Sequence, residues 1–300
     1  MQSYRGGRIL LIGASGQVGR ALAACFPAGA IVRASHRHAG ADDIRLDLGD
    51  DRAVDRVLTE VGPELVLLAG AMCNAEQCEI EADTCYRINT RGPQAVAEYA
   101  RRSGACLVYF STDHVFDGAK PEPYVETDAT NPLYVYARSK ERGETAIREI
   151  LPDRHLIVRT GWVYGPDAAR RNFTFGLVDR ITAGQVVTVA SDQWGCPTYT
   201  DDLAAATRFL VERGAHGIYH ATGPEFVDRA TLALLVCEHF GLPSASVLPR
   251  PTSELGQVAR RSLRVRLDCS KLRRAGAPPF RAIADGLRAL AGAHAPEGIR

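Results

Sequence analysis

The chain has 300 residues, of which 46% are hydrophobic and 24% are charged, as in an ordinary globular protein. Its net charge of +1 argues against a dedicated nucleic-acid-binding protein and against electrostatic attachment to a membrane. No apolar run approaches the roughly 20 residues that span a bilayer, and the start of the chain does not read as an export signal. The eight cysteines, which include no Cys-x-x-Cys pair, therefore indicate reduced thiols in the cytoplasm, without disulfides or a metal site.

Short apolar runs alternate with helical stretches, which predicts β-α-β units and an α/β fold with a parallel sheet. The runs carry β-branched or aliphatic residues on both faces, as expected of strands that helices cover on both sides. The predicted strands are residues 9–12, 30–34, 65–69, 107–111, 156–160, 186–190 and 217–220. The predicted helices are residues 18–25, 51–61, 79–102 (in one or two pieces), 135–149 and 201–212.

A glycine-rich turn follows the first predicted strand. Gly13, Gly16 and Gly19 stand three residues apart, and a helix is predicted to begin among them. Glycine is needed where a backbone turns tightly and approaches a pyrophosphate, and the helix N-terminus offers N–H groups to the phosphates. The turn therefore predicts a dinucleotide site in a Rossmann-type, doubly wound parallel sheet. The other cofactor contacts predicted in this turn are Ser15, Gln17 and Val18.

Basic residues stand near the end of the second predicted strand, where an acidic residue would indicate NAD. Arg33 and Arg37 suit the additional phosphate of NADP, because a guanidinium binds phosphate with two hydrogen bonds. We therefore predict NADP (NADPH) as the cofactor, with NAD as the alternative. Asp47 is predicted to accept a hydrogen bond from the adenine amino group.

Three side chains indicate hydride transfer to or from a carbonyl group. Tyr136 and Lys140 lie four residues apart, so a helix places them on one face. A tyrosine has a pKa of about 10, which a neighbouring ammonium lowers, and the lysine can also bind the nicotinamide ribose. Thr112, at the end of the predicted strand 107–111, can hold the carbonyl oxygen, with Ser111 as the alternative hydroxyl.

These motifs resemble the extended short-chain dehydrogenase/reductase superfamily and, more narrowly, the dTDP-4-dehydrorhamnose reductase family. The resemblance extends over nearly the whole chain and implies NAD(P)H-dependent reduction of the 4-keto group of a nucleoside-diphosphate deoxyhexose. It implies that Thr112, Tyr136 and Lys140 are catalytic, with Tyr136 supplying the proton. The segments that carry the resemblance are the glycine turn, Asn89, the Tyr136-x-x-x-Lys140 pair and residues 111–118, 124–128, 159–165, 172–173, 192–198 and 261–268.

The remaining site residues follow from the same resemblance. Further cofactor contacts are expected at Leu48, Ala69, Gly70, Ala71 and Asn89. Substrate contacts are expected at Asp113, His114, Val115, Phe116, Trp162, Asn172, Phe173, Gln193 and Arg261. Trp162 can equally be a core aromatic residue, and Arg261 can belong to a solvated basic stretch, residues 260–266.

The chain departs from the family pattern mainly around the expected substrate. His114 stands where the family usually has Tyr, Ala137 where it has Gly, and Cys73 and Glu76 where it has Thr and Asp. These differences leave the particular sugar nucleotide open. Two other functions also stay open, namely a nucleotide-sugar epimerase or dehydratase and a non-catalytic, NADP-binding regulatory subunit like that of methionine adenosyltransferase.

The predicted organisation has two parts. Residues 1–162, with a return segment at about 199–222, are expected to form the NADP-binding domain. Residues 163–198 and 223–300 are expected to form a smaller, mixed substrate-binding lobe. The predicted helices 79–102 and 135–149 also allow a homodimer.

Overall fold

The computed structural model describes residues 6–293, and its strands are built from the predicted apolar runs. All seven predicted strands are found to within one residue at each end. The strands are β1 (Ile9–Ile12), β2 (Ile31–Ser35), β3 (Ile44–Arg45), β4 (Leu65–Leu68), β5 (Cys106–Thr112), β6 (His155–Thr160), β7 (Val163–Tyr164), β8 (Val187–Ala190), β9 (Trp194–Gly195), β10 (Thr198–Tyr199), β11 (Gly217–His220), β12 (Val227–Asp228) and β13 (Val247–Arg250).

Seven of these strands form one parallel sheet in the order β3-β2-β1-β4-β5-β6-β11. This is the doubly wound order that the sequence predicted. The chain moves outward from β1 to β3 and then continues on the other side of β1 with β4. Ligands bind at such a switch point, in the crevice outside the carboxyl ends of the strands.

The helices include all those predicted, together with several that the sequence pattern did not indicate. They are α1 (Gln17–Cys25), α2 (Asp51–Val61), α3 (Ala75–Ile80), α4 (Ala82–Tyr86), α5 (Gly92–Ser103), α6 (Val135–Ile150), α7 (Phe173–Thr182), α8 (Thr200–Glu212), α9 (Arg229–Phe240), α10 (Ser270–Arg274) and α11 (Ile283–Gly292). The predicted helix 79–102 is divided at Glu81 and contains a π-helical turn over Arg87–Arg91. None of the described helices is long and apolar enough to cross a membrane.

Helices cover both faces of the large sheet, which explains why its central strands β1 and β4 are apolar at every position. Leu10 and Leu68 pack with α2, α5 and α6 on one face. Leu11 and Leu67, one residue along the same strands, pack with α1 and α8 on the other face. Successive side chains of a strand point to opposite faces, so each strand contributes to both cores.

A third apolar cluster lies among α7, α9 and α11 and includes Phe175, Val187, Leu232 and Leu287. The short strand pairs β7–β10 and β8–β13 are parallel, whereas β9–β12 is antiparallel. Between these elements, α8 and β11 return to the large sheet. The domain boundaries at residues 162, 198 and 222 stay predictions.

A buried ion pair joins the large sheet to α6. Arg159 on β6 donates from Nε to Glu144 Oε1 at 2.9 Å and from Nη2 to Oε2 at 2.6 Å. The side chains are only 2% and 0% exposed, respectively. His220 of β11 lies beside the pair, with its Nε2 3.5 Å from Nη1 of Arg159. The pair therefore sets the position of α6 on the sheet.

We expect Glu144→Ala to lower the free energy of unfolding by about 3–5 kcal/mol, because it leaves the Arg159 charge buried without its partner. Urea denaturation followed by circular dichroism measures this change. Asp55→Ala is the control, since Asp55 pairs with Arg102 at an exposed site, and a change within about 1 kcal/mol is expected there. Equal losses in the two variants would contradict the role assigned to the buried pair.

Candidate active site

The turn after β1 leaves space for a ligand because its glycines lack side chains. Gly13 has a φ of +86°, and a Cβ there would lie 2.5 Å from the backbone nitrogen of Gly70. A Cβ at Gly19 would overlap the carbonyl oxygen of Gly13. Leu48 packs against Gly70. Gly16, at the N-cap of α1, offers no side-chain cap, so the first N–H groups of the helix fit the phosphates of a dinucleotide.

The second strand is tied to this turn by a serine hydroxyl. Ser35, which is buried at the end of β2, accepts a hydrogen bond from the backbone nitrogen of Ser15 at 3.0 Å. Asp47 accepts from the backbone nitrogen of Gly49 at 2.8 Å, and its other carboxylate oxygen lies 3.7 Å from Nε2 of His36. These contacts place Asp47 beside the end of β2, where the sequence predicted an adenine contact.

Arg33 lies within β2, and Arg37 follows the strand in an exposed turn. Nε of Arg33 is 3.0 Å from a carboxylate oxygen of Asp43, and the arginine side chain is 44% exposed. Sequence reasoning missed Asp43 as the partner of this arginine. The ion pair holds a guanidinium at the edge of the sheet, near the turn that follows β1.

Asn89 fastens the loop after β4 to α6. Its side chain accepts from the backbone nitrogen of Met72 at 2.9 Å and donates to the carbonyl oxygen of the same residue at 2.9 Å. It also donates to the hydroxyl of Ser139 at 3.0 Å. The predicted cofactor residues 69–71 lie in this loop, so Asn89 positions their backbone next to α6.

The three predicted catalytic side chains come from two elements. Thr112 is the last residue of β5; its hydroxyl accepts from the backbone nitrogen of His114 at 3.2 Å and favours the ionised form of the nearby Tyr136 phenol. Tyr136 and Lys140 lie one turn apart near the start of α6. Lys140 is 2% exposed, and its Nζ lies 3.9 Å from the ring centroid of Tyr109. Tyr109 in turn donates its hydroxyl to the carbonyl oxygen of Asn89 at 3.2 Å.

Burial dominates the acid–base properties of this group. It lowers the pKa of Lys140 to about 7, although the nearby Glu144 carboxylate opposes the shift. Burial also raises the pKa of Tyr136 well above its usual value, against the opposing effect of the Thr112 hydroxyl. Desolvation of the phenol therefore dominates its pKa in this structure, and the lowering of that pKa by Lys140 stays a prediction.

Asp113 and His114 follow Thr112 in a 3₁₀ turn. Asp113 accepts the Thr112 hydroxyl at 3.0 Å, and its carboxylate packs so closely on Gly161 that a Cβ there would overlap it. The ring of His114 meets the ring of Tyr134 edge-on at 5.5 Å. Burial lowers the pKa of His114, so the imidazole is neutral at pH 7, and its Nδ1 has no hydrogen-bond partner among residues 6–293.

Val115 and Phe116 lie in the protein core. Both are 0% exposed, and the ring of Phe116 stacks on Tyr124 with centroids 4.2 Å apart. They pack with Val265 and Leu267 in a small apolar cluster. Neither residue lines the neighbouring cavity of about 460 Å³, because the 3₁₀ turn directs both side chains into the core. Their side chains therefore occupy packing positions and not the substrate contacts that the resemblance implied.

A cavity of about 460 Å³ lies between the large sheet and the smaller cluster of helices. Six of the predicted substrate residues line it, together with Arg229, which the sequence analysis did not select. The six are His114, Trp162, Asn172, Phe173, Gln193 and Arg261. Asp113 is not among the lining residues, although the next residue in the chain, His114, is.

Trp162 has a strained backbone, with a φ of +48°. One face of its indole lies so close to Gly195 that a Cβ there would overlap the ring. The guanidinium carbon of Arg229 lies 3.5 Å from the indole centroid and 4.6 Å from the ring centroid of Phe173. Trp162 is thus a wall of the cavity. The left-handed backbone conformation, which is costly for a bulky residue, marks it as a candidate functional position.

The polar side chains of the cavity are held in place by neighbouring loops. Asn172 caps α7 by accepting from the backbone nitrogen of Phe175 at 3.0 Å. Gln193 donates to the side chains of Thr252 at 3.1 Å and Gln257 at 2.9 Å. Both residues are therefore oriented by the protein itself, and the cavity is largely preformed.

Arg261 is bound by an acidic residue from a distant part of the chain. Its Nη2 donates to Glu76 Oε1 at 2.8 Å, and Glu76 Oε2 accepts from the backbone nitrogen of Val258 at 2.7 Å. The guanidinium also lies over the ring of Tyr134, 5.4 Å from its centroid. Glu76 therefore ties the loop around Arg261 to α3, a contact that sequence reasoning missed.

The cysteines do not supply a metal site in the part of the chain that the structure describes. All eight lie within residues 6–293, and no disulfide forms there. Over the same range, no three His, Cys, Asp or Glu side chains are grouped as metal ligands would be. Cys85 contacts the Ser139 hydroxyl at 3.2 Å. The thiols near the active site therefore pack against its positioning residues.

Comparison with known proteins identifies the family. A family model described as the RmlD substrate binding domain matches residues 7–294. The chain is 35% identical to dTDP-4-dehydrorhamnose reductase of Streptomyces griseus, with 97% of each protein covered. It is 32% identical to dTDP-4-keto-6-deoxy-D-glucose reductase of Streptomyces niveus, over 91% of this chain and 93% of the relative.

A solved structure supports the same assignment. The dTDP-4-dehydrorhamnose reductase of Bacillus anthracis, determined in complex with NADP, superimposes with a TM-score of 0.85 at 28% identity. The superposition covers 95% of this chain and 98% of that protein. A UDP-glucose 4-epimerase of Thermus thermophilus, at 22% identity and a TM-score of 0.84, shares the fold. The glycine turn, the Tyr136–Lys140 pair and the family match together show that this chain belongs to the dTDP-4-dehydrorhamnose reductase family.

Proposed function

We propose that this protein is an oxidoreductase that uses NADPH to reduce the 4-keto group of a dTDP-linked 6-deoxyhexose. The observation that carries the proposal is the placement of the Thr112 hydroxyl, at the carboxyl end of β5, beside the Tyr136 phenol, which lies one helical turn from Lys140. The named relatives reduce 4-keto sugars on the same nucleotide. A preformed cavity for the sugar nucleotide lies beside this group.

The residues around the glycine turn fit NADP. The turn accommodates the pyrophosphate, and Arg33 and Arg37 supply cations for the additional phosphate of the adenosine ribose. The Bacillus anthracis relative was determined with NADP, which supports this choice over NAD. When bound, NADPH supplies the hydride that reduces the carbonyl carbon.

The catalytic side chains have distinct roles in the proposal. Tyr136 gives the sugar carbonyl oxygen its proton, and the Thr112 hydroxyl holds that oxygen by turning its hydrogen from Asp113 toward the bound sugar. The raised pKa of Tyr136 keeps the phenol protonated at neutral pH, as a proton donor must be. Lys140 binds the nicotinamide ribose and supplies positive charge below Tyr136. Asp113, which accepts the Thr112 hydroxyl, positions that group.

The relatives support a reductase over the other functions that the sequence left open. An epimerase of the same fold is only 22% identical, so it shows the fold alone. The regulatory-subunit interpretation requires no turnover, whereas the Thr112 hydroxyl lies beside the Tyr136 phenol, as an acid catalyst acting on a bound carbonyl requires. The stereochemistry of the sugar, a homodimer and a cytoplasmic location stay predictions from the sequence.

We expect Tyr136→Phe to lower kcat by about 10²–10⁴-fold, because the carbonyl oxygen loses its proton donor. The assay follows the loss of NADPH absorbance with dTDP-4-keto-6-deoxyglucose and its 3,5-epimer, and NADPH affinity is measured separately. Tyr134→Phe is the matched control, since this phenol lies two residues earlier and is also buried. Full turnover by Tyr136→Phe, or loss only in the control, would assign the proton to another group.

We expect kcat/KM to fall as pH rises through about 7, because Lys140 loses its proton near that pH and with it the positive charge that the site needs. A profile from about pH 6 to about pH 9 measures this limb in the free enzyme. Lys140→Arg is the comparison variant. Its guanidinium stays charged over this range, so the limb should disappear even where total activity is lower. A flat wild-type profile would refute the dependence.

We expect Arg33→Ala to reduce the preference for NADPH over NADH by about tenfold, through a higher KM for NADPH. Steady-state kinetics with each cofactor measure the ratio. Arg37→Ala is made in parallel, because this exposed arginine follows the same strand. An unchanged ratio in both variants would show that neither guanidinium binds the 2′-phosphate.

A further inference from the structure

Arg229 is an arginine without an acidic partner at ion-pair distance. Its guanidinium lies between two rings, 3.5 Å from the centroid of Trp162 and 4.6 Å from that of Phe173. No carboxylate lies within 4.0 Å of it among residues 6–293. The rings fix the flat faces of the guanidinium and leave its N–H groups at the edge available as donors. Burial lowers the pKa of Arg229 to about 9, so the side chain is charged at pH 7.

The other arginines that line the cavity are either paired with a carboxylate or exposed to solvent. Arg261 is committed to Glu76 at 2.8 Å. Arg171 and Arg180 are exposed at the rim. Burial is the main cause of the lowered pKa of Arg229; the Asp113 carboxylate opposes it and the positive charge of Arg261 adds to it. Four arginines thus line the cavity, so it suits an anionic ligand.

We infer that Arg229, rather than Arg261, is the principal cation for the diphosphate of the sugar nucleotide. The inference rests on the proposed function and names a binding residue for it. A guanidinium presents paired N–H donors that match phosphate oxygens, and its rigid seat between Trp162 and Phe173 lowers the entropy lost on binding. Arg261 retains the separate task of holding its loop to α3 through Glu76.

This position also connects the diphosphate to the sugar. Trp162 stacks on Arg229 and lines the same cavity. A phosphate bound by Arg229 therefore lies next to the indole, in a cavity that is also lined by His114, the second residue after Thr112.

The test measures the binding of inorganic pyrophosphate, dTDP and dTMP by titration calorimetry. We expect Arg229→Met to weaken pyrophosphate and dTDP binding by about 30-fold or more and dTMP binding much less. Arg229→Lys should lie between wild type and Arg229→Met, since it keeps the charge but not the planar donor group. Arg264→Met is the matched control, because Arg264 also stacks on a tryptophan, 4.6 Å from the Trp194 centroid, but does not line the cavity.

A second readout reports the site directly. The chain has two tryptophans, so Trp194→Phe leaves Trp162 as the only one. Pyrophosphate should then change the emission of Trp162, and Arg229→Met should abolish the change while NADP affinity is retained. If Arg229→Met unfolds the protein, the Arg229→Lys variant tests the inference instead. This variant lacks the guanidinium, so an unchanged affinity for pyrophosphate would overturn the inference.

The outcomes separate this inference from the proposed function. Normal affinity and normal KM in Arg229→Met, with a loss in Arg261→Met, would overturn the inference and leave the reductase intact. Pyrophosphate binding that depends on Arg229, in a protein that turns over no keto sugar, would uphold the anion site and refute the proposed function.

Discussion

The buried pair between Arg159 and Glu144 determines how the catalytic helix meets the sheet. Glu144 lies one turn beyond Lys140 on α6, and Arg159 lies on β6, next to the strand that ends in Thr112. The carboxylate and the guanidinium are removed from water, so each depends on the other. The placement of Tyr136 beside Thr112 therefore rests on an ion pair that takes no part in the chemistry. The same Glu144 carboxylate also stabilises the charged form of Lys140, which links helix position to lysine charge.

Much of the fold could be predicted because its signals are local. Most of the main strands are short, largely apolar runs, and the glycine turn marks both the end of β1 and the start of α1. The three catalytic residues could be predicted for the same reason, since Tyr136 and Lys140 are four residues apart and Thr112 is the last residue of a strand. Where local patterns compete, boundaries were less certain. The segment around Asn89 has helical composition throughout, yet its side-chain bonds to Met72 and Ser139 require the wider turn that the structure shows.

Features that depend on distant pairing could not be predicted. Glu76 and Arg261 are 185 residues apart, so no spacing rule connects them. Phe116 follows the active-site threonine but turns inward onto Tyr124, a contact set by the loop that carries Tyr124. The pKa of Tyr136 depends on how deeply the phenol is buried, which the sequence does not encode locally. One feature of the sequence did point to Arg229 as a candidate binding residue. It is the first residue of α9, where a positive charge is unfavourable because it opposes the helix dipole.

The contact between Gly195 and Trp162 has a consequence for what sets the size of the cavity. Gly195 does not line the cavity, yet its missing side chain is what allows the indole to lie flat against β9. Any larger residue at position 195 would push the indole toward Arg229 and narrow the space for the hexose from behind. Pocket size is therefore controlled at a position that no ligand touches. A change of sugar can arise in evolution, or be engineered, while every residue in contact with the substrate stays the same.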